Sequence, residues 1–259
     1  MKLLAIGDVI GAPGRDVLRA LLPALRRELE LDVVIANAEN SAGGIGTTPE
    51  TANALFACGI DVLTGGNHTW KHREYEGVLE RDQRLLRPNN YPKAPGRGSA
   101  IFTTVSGIKY AVLNLIGRTF MEPVDNPFVA VEPLVAEAQK ITPIIFVDFH
   151  AEATGEKQAF GFHLDGRVSA VWGTHTHCPT ADERILPGGT AFVTDLGMTG
   201  PYESVIGFSP EQAIRRYLTS RPARFEVSAR GSIELRGIVV TIDDATGLAV
   251  SIDRLKRTP

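Results

Sequence analysis

Cysteine is scarce: Cys58 and Cys178 are the only two in 259 residues. That argues against a disulfide-stapled scaffold of the secreted kind. Long apolar runs are lacking as well. No stretch approaches the roughly 20 residues that a bilayer-spanning helix needs. Met1-Lys2 leads at once into a strand-like segment, which leaves no room for a leader peptide. A surplus of basic charge is also missing. There are 27 Lys and Arg against 30 Asp and Glu, a net charge of −3, and the basic residues are scattered. The charge therefore gives no sign of a nucleic-acid backbone as partner, and RNA is not indicated. There is no repeat, no low-complexity tract and no linker that would cut the chain. What remains is 43% hydrophobic, enough for a proper core. The expectation is one cytoplasmic domain over residues 1–259, without a membrane partner and with a homo-oligomer left open.

What is present is a rhythm of apolar runs. Leu3 to Gly7 reads as a strand ending at Asp8. Pro13 opens a helical pattern in which Val17, Leu18, Leu21, Leu22, Leu25 and Leu29 recur on one face, with Pro23 expected to kink it. Leu31 to Ala36 is a second strand, ending in Asn37-Ala38-Glu39-Asn40. Thr48 and Pro49 then suit the N-cap and first position of another helix. Ile60 to Leu63 is a third strand, followed by Thr64-Gly65-Gly66-Asn67-His68. This alternation predicts a parallel α/β beginning. Leu85 to Pro95 reads as a loop. Ala100–Val105 and Tyr110–Leu115 read as an antiparallel hairpin across Ser106-Gly107. Gly117 to Phe128 reads as a long loop and Val129 to Lys140 as a helix. Three more apolar runs end at His150, at Gly173-Thr174-His175-Thr176-His177, and at Asp195. A last helix covers Gln212 to Thr219, and antiparallel strands fill the tail.

The chemistry lies just past the strand-like runs. Asp8, Glu39, Asn40, Asn67, His68, His150, His175 and His177 come from five of them. Sites in open α/β sheets form outside the carboxyl ends of strands. Packing does not call for such a set of metal-competent side chains. His175 and His177 share a face if the chain stays extended there. Oxygen donors mixed with imidazoles suit Mn, Fe, Co or Zn better than Ca or Mg. Seven donors are too many for one open catalytic ion and suit two, about 3.5–4 Å apart. Glu39 is the expected bridge, and such a site is net positive and draws in a phosphate ester. Cys178 follows His177 but opposes it in phase, so it is left out. His72 and His163 are expected at the surface or behind the site. Gly7, Gly11 and Gly14 do not make a dinucleotide loop, because Val9 holds a required glycine position and Asp8 would repel a pyrophosphate.

Gly7-Asp8, Gly66-Asn67-His68, the lone His150 and Gly173-x-His175-x-His177 resemble, in order and strand placement, the signature of the calcineurin-like metallophosphoesterases. Two departures stand out. The first motif usually ends in histidine where this chain has Ile10, and the second is usually Gly-Asp where this chain has Asn37-Ala38-Glu39-Asn40. These changes resemble the YmdB-like branch, nearly end to end. The resemblance implies a four-layer αββα sandwich of two mixed sheets flanked by helices. It implies a dinuclear cyclic-nucleotide phosphodiesterase of the 2′,3′-cyclic AMP type, with two divalent transition-metal ions, iron or manganese first and zinc third. Carried over, Asp8 and His177 hold one ion, Asn67, His150 and His175 the other, and Glu39 bridges. Asn40 stands in for the histidine missing at Ile10. His68 protonates the leaving oxygen while a bridging hydroxide attacks phosphorus. Two competing readings remain: a dinuclear hydrolase of another bond, and a nucleotide-sensing regulator.

Overall fold

Strands form where the apolar runs are, and the central runs bury both of their faces. The structure, a computed structural model, describes residues 1–259. The first half contains β1 (Lys2–Ile6), β2 (Asp8–Val9), α1 (Gly11–Glu28), β3 (Val33–Asn37), α2 (Pro49–Ala57), β4 (Val62–Thr64), α3 (Arg73–Arg81), β5 (Ser99–Thr103) and β6 (Lys109–Ile116). The second half contains α4 (Pro127–Gln139), β7 (Ile145–His150), α5 (Thr154–His163), β8 (Ala170–Thr174), β9 (Arg184–Ile185), β10 (Ala191–Val193), β11 (Met198–Pro201), α6 (Pro210–Thr219), β12 (Ile233–Ile242) and β13 (Ala249–Arg257).

They assemble into two mixed sheets. One runs β2-β11-β12-β1-β3-β4, with β13 also paired to β12; the other runs β5-β6-β7-β8-β10-β9. β1, β3 and β4 are parallel, as are β6, β7, β8 and β10. Alternation along β1 shows how the layers arise. Leu4 and Ile6 join Val17, Leu18 and Leu22 of α1, with α2 and α3 beside them through Leu55 and Leu79. Leu3 and Ala5 point the other way and meet Phe146 and Trp172 of the second sheet. On that sheet's far face Val147 and Phe149 pack with Val131 and Val135 of α4 and Phe160 of α5. The result is the expected order of helices, sheet, sheet and helices. Burying each such Leu, Val or Phe contributes about 1.5–3 kcal/mol. No helix is long and apolar enough to cross a membrane.

Several boundaries differ from the sequence reading. α1 starts at Gly11, two residues before Pro13, and runs through Pro23 to Glu28 without a break. Pro127 and Phe128 open α4 instead of closing the preceding loop, while α6 begins at Pro210 as its Ser209-Pro210-Glu211 start predicts. Both follow the rule that proline suits the first helical turn. The short α3 and α5 and the brief strands β2 and β11 had no visible periodicity. The hairpin β5–β6 is antiparallel as expected.

Candidate active site

The donors meet where strand ends of the two sheets face each other. β2 carries Asp8, β3 leads into Glu39 and Asn40, and β4 leads through Gly65-Gly66 to Asn67 and His68. From the other sheet His150 is the last residue of β7, and His175 follows β8. His150 is fully buried, and its Nε2 is the focus. It lies 2.9 Å from Glu39 Oε1, 3.1 Å from Asn67 Oδ1 and 3.1 Å from His175 Nδ1. One donor atom each from Glu39, His150 and His175 falls within 4.8 Å of the others. Gly66 is required here for space: a Cβ would overlap the His150 ring and the Glu39 carboxylate.

Each of the three histidines has one ring nitrogen held by an acceptor; the second nitrogens of His150 and His175 face each other, and His177 lines the adjoining cavity. Thr174 Oγ1 donates to Asp148, so it accepts from His150 Nδ1 at 2.9 Å. His175 Nε2 sits 3.3 Å from the Glu152 carboxylate. His177 Nδ1 donates to the Ile206 carbonyl at 2.8 Å. That arrangement fixes the tautomer and leaves an unshared pair for a metal. Two oxygens are equally poised. Asp8 Oδ2 accepts the His175 N–H at 3.1 Å, while its buried Oδ1 has no hydrogen-bond partner. Asn40 donates Nδ2 to the Gly44 carbonyl at 2.8 Å, and its buried Oδ1 is likewise unpartnered. Orphaned buried oxygens are costly without a partner, so these residues fit a cation.

The electrostatics agree. Burial would raise the Glu39 carboxyl, but the charge and hydrogen bond of His150 overcome this and hold it at about 2. Burial would lower His150, yet Glu39 and Asp8 push it up to about 9. Burial and then the His150 charge hold His175 down to about 3. Burial raises Asp8, against the pull of His177 and His150. Glu39 and His150 thus form a charged buried pair, and a metal bound there would displace the proton from His150 Nε2.

A cavity of about 430 Å³ opens beside these groups, lined by Glu39, Asn40, His68, His175, His177 and Cys178 among others. His68 is tied in by its backbone, whose N–H donates to Glu39 Oε2 at 2.8 Å. One geometric premise is corrected. The chain is not extended at His175 and His177, which have φ of +98° and +64°; β8 has ended, and both rings reach the site through a turn. Asn67 and His68 likewise lie in a turn, with Thr69 N–H donating to the Gly66 carbonyl.

A family model described as YmdB-like protein matches residues 4–255. The chain belongs to the YmdB-like family. Among its relatives is a 2′,3′-cyclic-nucleotide 2′-phosphodiesterase of Bacillus subtilis (strain 168), 48% identical over 98% of this chain and 96% of that protein. Two crystal structures superpose with a TM-score of 0.93. One is a hypothetical protein from Thermus thermophilus, 39% identical, covering 100% of this chain and 99% of that one. The other is a novel phosphatase from Mycoplasma pneumoniae, 35% identical, covering 100% and 93%.

In this YmdB-like chain Ile10 is fully buried against Gly200 and Gly207, a core residue. Asn40 stands near it, its carbonyl accepting the Gly11 N–H at 2.9 Å. Cys178 is exposed on the cavity rim. His72 is half-buried and bonds the Ile45 carbonyl, and His163 sits beside Glu132, away from the donors. The sequence reading missed the supports. Asn37 Oδ1 accepts the Glu39 N–H, Asp148 accepts from Asn37 and Thr174, and Glu152 backs His175.

Proposed function

We propose that this chain is a metal-dependent phosphodiesterase that opens 2′,3′-cyclic nucleotides at the 2′ oxygen. The observation that carries the reading is the set of histidines, each anchored through one nitrogen beside Glu39, Asp8 and the cavity. The activity of the Bacillus relative supports the choice of substrate. Asp8, His177 and Asn40 would hold one ion; Asn67, His150 and His175 would hold a second, with Glu39 between them. These mixed oxygen and imidazole donors suit manganese, iron, cobalt or zinc, and the family resemblance puts iron or manganese first. When bound, the ions supply positive charge that attracts the diester and stabilises the charge developing on its oxygens.

The chain's own residues do the rest. Water adds at phosphorus, the bond from phosphorus to the 2′ oxygen breaks, and a 3′-phosphate monoester remains. The departing 2′ oxygen needs a proton, and the His68 ring on the cavity wall supplies it. Thr174, Glu152 and the Ile206 carbonyl keep the three inner histidines oriented, and Gly66 keeps space for them.

The test is hydrolysis by manganese-loaded protein across cyclic nucleotides, linear diesters and monoesters, with elemental analysis of the same sample. The expected outcome is 2′,3′-cyclic AMP converted to 3′-AMP, two transition-metal ions per chain, and loss of activity on chelation. A fully metallated protein inert toward diesters overturns the reading, and a single tightly held zinc overturns the two-ion arrangement.

A further inference from the structure

The cavity beside the metal donors adjoins others. Ile45 and Phe225 line it and also line a second cavity of about 870 Å³. Ala223 and Arg224 are shared in turn between that second cavity and a third, of about 480 Å³, against α6. The three adjoin in a row from the candidate metal donors, past residues 223–225, to helix α6. A small ligand is typically enclosed in roughly 300–1,000 Å³. The first cavity, about 430 Å³, already suits a mononucleotide. The other two are surplus to that substrate.

Charge sets the surplus part of the row apart. Lys71, Arg215, Arg221 and Arg224 line it, all exposed and none paired with a carboxylate. Glu226 is the one acid that lines either outer cavity. At the throat, where the first cavity meets the second, stands the half-buried ring of Phe225. Its centroid is 5.6 Å from that of Phe208 and 5.8 Å from the Arg216 guanidinium. Cations spaced along a groove, with an aromatic ring at its mouth, are what a single-stranded nucleic acid uses. The cations take successive phosphates and the ring takes a base. The net charge of −3 conceals this local field.

We infer that this row of cavities seats an oligoribonucleotide whose terminal 2′,3′-cyclic phosphate enters the metal cavity. The ends of RNA chains are then the better substrate and free cyclic mononucleotides the lesser one. Only RNA qualifies, because the cyclic ester requires a 2′ oxygen. The inference rests on the phosphodiesterase reading above.

The experiment compares wild type with the triple variant Arg215→Ala/Arg221→Ala/Arg224→Ala. The first measurement is kcat/KM on 2′,3′-cyclic AMP and on a short oligoribonucleotide ending in a 2′,3′-cyclic phosphate. The second is fluorescence anisotropy with the same oligonucleotide labelled at its 5′ end and carrying a 3′-phosphate, which needs no turnover. Wild type should prefer the oligonucleotide by about tenfold or more in kcat/KM. The triple variant should lose that preference while changing less than twofold on the mononucleotide. Three lost phosphate contacts should also flatten the slope of log affinity against log salt by about 2. Equal kcat/KM on the two substrates in wild type overturns the inference. So does a labelled oligonucleotide that binds both proteins alike, or an acidic peptide that binds the wild type better. Salt-sensitive oligonucleotide binding without hydrolysis of either substrate overturns the phosphodiesterase reading instead, and with it the RNA end as substrate.

Discussion

The backbone N–H of His68 holds Glu39 Oε2, while its side chain lines the cavity. A residue tied to a donor through its main chain can lose its ring and leave the donor in place. His68→Ala should therefore keep its full metal content by elemental analysis. A positioned general acid is worth roughly 10²–10⁴ in rate, so kcat on 2′,3′-cyclic AMP should fall by about that factor. On bis-p-nitrophenyl phosphate the fall should be smaller, because p-nitrophenolate leaves without a proton. Equal losses on the two would exclude the acid role, and loss of metal would make His68 a ligand. The convergence of the candidate donors was legible at this scale. Oxygens and imidazoles placed just past buried strands have few structural reasons to be there, and Asp8, Glu39, Asn67, His150 and His175 do come together. Their supports were not legible. Asp148 sits inside an apolar run and looks like a single polar interruption, and Thr174 looks like one more polar residue past a strand end. Only the register of β7 against β8, which sets His150 opposite Thr174, makes them a relay.

The segment after β8 shows where a rule about elements gives way to tertiary structure. Alternation predicts His175 and His177 on one face of an extended chain, yet both take positive φ. What holds them there is remote in sequence. Asp195, just past β10, accepts from the Thr176 hydroxyl at 2.7 Å and from its N–H at 3.3 Å. Lys157 of α5 completes the arrangement, with Nζ 2.6 Å from Asp195 and the side chain fully buried. From sequence, Lys157 reads as one more exposed lysine among Glu156 and Gln158, on a helix too short to show a period. Its removal strands a buried carboxylate. Lys157→Met should lower unfolding free energy by about 3–5 kcal/mol in urea titration. Adding Asp195→Asn should recover part of that loss, since the uncompensated charge is gone. Additive losses in the double variant would mean that the pair is not coupled. The longer elements were legible for the converse reason. α1 and the strands before Asp8, Glu39 and His150 are specified by their own apolar pattern, with no help from distant residues.

At the scale of the whole molecule, the fold class was legible because buried parallel strands read as continuous apolar runs. The pairing order was not: nothing local tells that β12 enters between β11 and β1. A net charge summed over the chain likewise says nothing about the arginines gathered around α6. The metal donors divide between the sheets. Asp8, Glu39, Asn40 and Asn67 come from the seven-stranded sheet and the loops that leave it. His150, His175 and His177 belong to the six-stranded one. An ion gripped by both would act as a clasp across the apolar layer between them and would be released when the sheets part. Metal at 100 times its dissociation constant should add about 2.7 kcal/mol to stability, seen as a melting temperature that rises with metal concentration. Chelation should speed amide hydrogen exchange in β1 and β7 together, and exchange that quickens in one sheet alone would place the whole grip on that sheet. Under the two-ion proposal, the two halves of this sandwich could not swing apart to admit a bulky substrate without dropping the ions, so entry would come along the surface.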